Sequence, residues 1–178
     1  MQKCFNTRNR LCKFKLNHAL YILPLVIALT VTGCKTAYEE QNNAALEFNQ
    51  RRNAIYNAYL VADIDHARQD LLDLVELGET EQYLSPEAQA SHLSQAYGWL
   101  FVFEERTGNK QLADVYFEKA KYWRIREAEL SGETDSKIGA HLGTLTKENV
   151  IADVDKWDKG ASGGKGPHYL RQLDSKEK

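Results

Sequence analysis

Between Tyr38 and Leu130 apolar residues return at intervals of three, four and seven, the spacing that lays them along one face of an α-helix. Ala45, Phe48, Ile55, Tyr59 and Ala62 form the first such stripe, with Arg51 and Arg52 in its gaps, and predict a helix from near Tyr38 to about Ala62. Asp63 is a candidate N-cap for a second helix. Its stripe, Ile64, Ala67, Leu71, Leu74 and Val75, is expected to end before Gly78. Ser85-Pro86-Glu87 marks a third start. It offers a capping hydroxyl, a proline at the first helical position, where no N–H is needed, and an acid facing the positive end of the helix. The third stripe runs through Leu93, Ala96, Tyr97, Leu100 and Phe103 to a stop at Gly108. A fourth helix is expected from about Asn109 to Leu130 through Leu112, Ala113, Tyr116, Phe117, Ala120 and Trp123, closed by Ser131-Gly132.

Two stretches are less regular. Tyr97 to Phe103 is aromatic and β-branched and contains a glycine, a composition that also suits a strand. Periodic, capped segments surround it, so a helix is expected, and its all-round apolarity requires burial on more than one side. Beyond Gly132 the pattern weakens. Residues 133–145 are mixed and polar, and Thr146 can cap a short helix bearing Val150, Ile151, Val154 and Trp157. Lys159 to Gly166 is glycine-rich and reads as flexible. The last twelve residues, with Tyr169 and Leu170 among charges, read as a tail or docking segment.

The segment Gly108 to Ala120, with its turn glycine and with Ala113, Phe117 and Ala120 at helical spacing, resembles the second half of a tetratricopeptide repeat. A similar segment runs from Ala62 through Ala67, Leu71 and Leu74, with alanine in place of the turn glycine. The two copies stand 46 residues apart, further than the period of about 34 in a tandem array, because Gly78 to Ser85 intervenes. The resemblance implies an all-α fold of stacked antiparallel helical hairpins, and a plain four-helix bundle is the alternative. It also implies an inner groove lined from the first helix of each pair, by Asn49, Arg52, Tyr56 and Tyr59, then Gln95, Val102 and Arg106.

The beginning of the chain carries an address. Lys3, Arg8, Arg10, Lys13 and Lys15 stand without one acid before an apolar run of thirteen residues, Ala19 to Val31. About twenty are needed to span a bilayer, so an export signal is favoured over a permanent span. Val31-Thr32-Gly33-Cys34 resembles the bacterial lipobox, in which small residues precede a cysteine that is lipidated before cleavage. The resemblance implies a membrane anchor through lipid on Cys34. Lys35 follows, where lipoproteins retained in the inner membrane have Asp, which implies the outer membrane and its periplasmic face. The expected organisation is a signal peptide at 1–33, a lipidated tether at 34–37, a helical domain at 38–132 and a C-terminal extension at 133–178, comprising a short helix and a flexible tail.

Cleavage after residue 33 would remove five of the 23 Lys and Arg and none of the 25 Asp and Glu, leaving a net charge of −7. That balance argues against nucleic acid as a partner, since phosphate backbones reward basic surfaces. Cys4 and Cys12 would leave with the signal, so Cys34 would have no thiol to pair with and the core alone would hold the fold.

Candidate chemistry is sparse. Gly160 to Gly166 lacks the first glycine and the Ser or Thr of a phosphate loop, having Lys159 and Gly166 in those places. His66, His92, His141 and His168 are isolated, and neither a metal nor another cofactor is expected. Glu39-Glu40 and Glu104-Glu105 are adjacent carboxylates that diverge on a helix. No catalytic residue is assigned. The expected function is that of a noncatalytic adaptor or assembly factor that binds another envelope protein. A cell-wall or polysaccharide-modifying enzyme is the alternative, for which Glu104, Asp114 or His92 would have to converge in one pocket.

Overall fold

A helix that turns through seven consecutive apolar residues must be covered on every side, and the architecture is organised around that requirement. The computed structural model describes residues 42–176, and of these the residues from Ala45 onward form one compact unit. Among the described residues the chain is all-α, without a strand. The helices are α1 (42–61), α2 (Ile64–Thr80), α3 (Pro86–Arg106), α4 (Lys110–Leu130), α5 (Asp135–Thr144), α6 (Lys147–Ala161) and α7 (His168–Lys176). None is long and apolar enough to cross a membrane.

The capping signals act as the sequence predicts. The Asp63 carboxylate accepts from the His66 N–H at 3.0 Å, Ser85 Oγ from Ala88 at 3.1 Å and Thr146 Oγ1 from Asn149 at 3.3 Å. Each satisfies one of the donors that a helix start leaves without an intrahelical partner. Gly108 ends α3 in the left-handed region, at φ 84°, which lets Asn109 N–H return to Glu104 O at 2.8 Å.

Helix α3 is the axis of the molecule. Ala96 to Glu104 is buried without a break, so the run that composition alone could assign to a strand is a helix surrounded by others. Antiparallel α2 pairs Arg68 with Glu104 and Leu74 with His92. Antiparallel α4 sets Ala120 opposite Ser94 and Phe117 opposite Phe101, the two rings 5.1 Å apart. Ala113 and Ala120, the small residues of the repeat-like segment, are 0% and 4% exposed. On the remaining sides lie α1, through Phe48 on His92 and Tyr56 on Trp99; α6, through Val150 beside Gly98; and α7, through Tyr169 on Phe103.

Glycine departs from expectation in two places. Gly78 does not end α2, which continues to Thr80. A Cβ there would stand 2.4 Å from His92 Cδ2 and 2.8 Å from Leu93 Cδ2, so the missing side chain serves the close approach of α2 and α3 rather than a stop. The glycine-rich stretch after Lys159 begins as the last turn of α6. It continues as a turn in which Gly164 N–H bonds to Lys159 O at 2.7 Å and Gly166 N–H to Ser162 Oγ at 2.7 Å. The next residues, read from sequence as a tail, form α7, whose Tyr169 is fully buried against Tyr59 and Phe103.

Candidate functional site

Helix α6 lies over α1 and α3 on the side where the repeat resemblance implied an open groove. It is held there by buried polar contacts. Asp158, 1% exposed, accepts from the Tyr56 hydroxyl at 2.8 Å and the Tyr59 hydroxyl at 2.9 Å, and Arg106 of α3 forms an ion pair with Asp155. Burial pushes the Asp158 carboxyl above the usual range, against the two phenol hydrogen bonds, which favour its ionised form. Burial, with the Asp158 charge beside it, pushes the Tyr56 phenol well up, so it remains a donor at neutral pH. Among the described residues, Tyr169 Oη and Arg106 Nη1 are buried without a hydrogen bond of good geometry, although the two groups act on each other electrostatically. Asp158 lines neither of the two large clefts on this face. It clamps α6 to α1.

The groove residues inferred from the repeat pattern therefore divide. Tyr59 and Val102 are 0% exposed and belong to the core, because α6 and α7 occupy the expected concave face at Tyr59. Arg106 is engaged with Asp155, and Asn49 is exposed, its side-chain N–H on Ala45 O at 2.9 Å. Arg52, Tyr56 and Gln95 do meet, in a cleft of ≈ 660 Å³ between α1, α3 and α6 that Trp99, Lys156, Trp157, Gly160 and Ala161 also line. A neighbouring cleft of ≈ 540 Å³ continues towards α4, and the two share Gln95, Trp99 and Trp157. The result is one trough with an indole on each side of the junction. Trp99, 9% exposed, is packed on Tyr56 at 4.9 Å and has no hydrogen-bond partner for its buried Nε1–H, whereas Trp157 is 64% exposed.

Sequence reading missed Asp158, Lys156 and both tryptophans of this trough. One signal was present for Asp158. It continues the four-residue step of Val150 and Val154, so it sits on the inward face of α6. Trp157 lies one position round, which turns it from the core to the trough.

The groups that a catalytic reading would unite are apart. Glu104 accepts from Arg68 Nε at 2.6 Å, Asp114 pairs with Lys147, and the His92 ring bonds to Leu74 O at 2.7 Å. Burial pushes His92 below its ordinary value. Among the described residues no group of three or more His, Cys, Asp or Glu is placed to hold a metal ion. No protein-family model matches the chain, and it matches no curated protein and no solved structure.

Proposed function

We propose that the protein is a lipid-anchored, noncatalytic binding module of the bacterial outer membrane whose periplasmic helical domain holds a segment of another envelope protein in the trough between α1, α3 and α6. The lipobox and Cys34, which carry the anchoring part of this reading, lie outside the described residues. The binding part is supported by one observation above others: an exposed indole, Trp157, shares a cleft with Tyr56, Trp99 and Arg52. Tyr, Trp and Arg are the residue types from which interfaces draw most of their energy. A Trp so exposed contributes little to the core of its own chain.

The test is crosslinking in intact cells followed by capture of the tagged, full-length protein. Arg52→Glu combined with Trp157→Ala should remove the captured partner while helix content, measured by circular dichroism, and membrane fractionation stay as in wild type. Tyr56 is not the residue to change, since its hydroxyl also holds Asp158. Recovery of the same partner at wild-type yield would refute the assignment of the trough.

A further inference from the structure

The ≈ 660 Å³ cleft between α1, α3 and α6 is lined by charge of one sign, whereas the neighbouring cleft includes Asp153 as well as Arg124. Arg51, Arg68, Arg106, Arg124 and Arg126 each hold a carboxylate within 4.0 Å, as do Lys121 and Lys147. Arg52 does not. Its side-chain hydrogen bond goes to the neutral Asn53 Oδ1 at 3.4 Å, and Lys156, on the opposite wall, is in no ion pair among the described residues. The lining of this cleft includes two cations and no acid, in a chain whose acids outnumber its Lys and Arg. The same cleft is lined by Tyr56, Trp99, Trp157 and the small residues Gly160 and Ala161.

Resting on the protein-binding reading, we propose that the ≈ 660 Å³ cleft takes an acidic linear peptide, its carboxylates meeting Arg52 and Lys156 and its apolar side chains packing on Tyr56, Trp99 and Trp157. Complementary charge at the rim with apolar contact at the centre is the arrangement of a peptide-binding interface. A neutral glycan would leave both cations without counterions. A nucleic acid would present many phosphates to two cations set in an acidic surface, where each unneutralised phosphate is repelled.

The experiment is a titration of intrinsic tryptophan fluorescence of the full-length protein in detergent micelles. Three probes are used: a capped peptide of alternating Glu and Phe, its Lys and Phe counterpart, and a β-1,4-linked N-acetylglucosamine tetramer. The Glu/Phe peptide should give a saturable change that weakens with added salt, and the other two should not. Arg52→Glu with Lys156→Glu should weaken the Glu/Phe peptide by about tenfold or more and create binding of the Lys/Phe peptide. Trp157→Ala, a change at a mostly exposed side chain, should weaken the Glu/Phe peptide without loss of helix content. If both peptides bind wild type equally and Trp157→Ala abolishes both, the trough binds protein but its occupant is not acidic. Binding of the tetrasaccharide alone would overturn this proposal and the protein-binding reading together. Saturation by none of the probes would overturn the acidic-peptide proposal, leaving the crosslinking result to decide the broader one.

Discussion

The hydroxyl of Tyr59 donates to Oδ2 of Asp158 at 2.9 Å, joining residues 99 apart in the chain in a contact where neither side chain reaches solvent. Asp158→Ala would strand this donor and that of Tyr56. The expected loss is about 1–3 kcal/mol for the buried group left unsatisfied. Asp158→Asn keeps one of the two acceptor oxygens and removes the buried charge, and the other phenol can turn to accept from the new amide, so it should lose less. Chemical denaturation of both variants at neutral pH checks the order, and equal losses would mean that the acceptor is not what matters.

Acid should act on the fold through two groups of opposite sign. The Asp158 carboxyl is raised by burial, so its contribution is fully present below the ordinary carboxylate value and is lost as pH rises through its folded value. His92 is lowered by burial. Its contribution is present above about 6.5 and is lost as pH falls through its folded value. Stability profiles of Asp158→Asn and His92→Gln against pH should therefore deviate from wild type in opposite directions. Parallel deviations would contradict the assignment.

Packing at the α2–α3 crossing makes Gly78 irreplaceable in a way its helical backbone does not reveal. Gly78→Ala drives a Cβ into the ring of His92, which its bond to Leu74 O holds in place, and should cost about 1–3 kcal/mol. Gly139, within α5, has open space where a Cβ would stand, and Gly139→Ala should gain about 0.5–1 kcal/mol. Ala113→Leu or Ala120→Leu should be destabilising on the same grounds as Gly78→Ala, while Lys110→Leu, at an exposed position, should do little. Thermal melts of this set decide the matter.

Anchoring is tested at Cys34. Metabolic labelling with a clickable fatty acid should mark the wild-type protein and not Cys34→Ser, and fractionation should place the wild type in the outer membrane. Equal labelling of the two would exclude this lipid site.

Local chemistry made much of the fold legible. Ser85-Pro86 and Thr146 start helices, Gly108 stops one, and the unbroken apolarity of Tyr97 to Phe103 foretold a helix covered from all sides. What could not be read depended on distant partners. Asp158 is unremarkable among the charges around it until Tyr56 and Tyr59 are brought to it, and Tyr169 looks like part of a tail until Tyr59 and Phe103 surround it. The short helix α5, in a polar stretch, escaped notice because it buries too little for an apolar period to show. Arg52, Tyr56 and Gln95, placed on one groove from the repeat pattern, do line one cleft. Tyr59 and Val102 are buried instead, and nothing local in the sequence indicates that later helices cover Tyr59.

The clamp formed by α6 and α7 also has a place in time. Contacts of Tyr56 and Tyr59 with Asp158, and of Ile64 with Gln172, span 99 to 108 residues, whereas α2, α3 and α4 meet through short connections. Closing loops of that length costs more entropy than closing the short hairpin connections, so the α2–α3–α4 hairpins are expected to form before the Tyr–Asp clamp. Substitutions in α3 should then slow refolding, while those at Asp158 should hasten unfolding and leave the refolding rate nearly unchanged. On that order, the polar network that fixes α6 beside the trough would set the lifetime of the folded protein more than the speed of its formation.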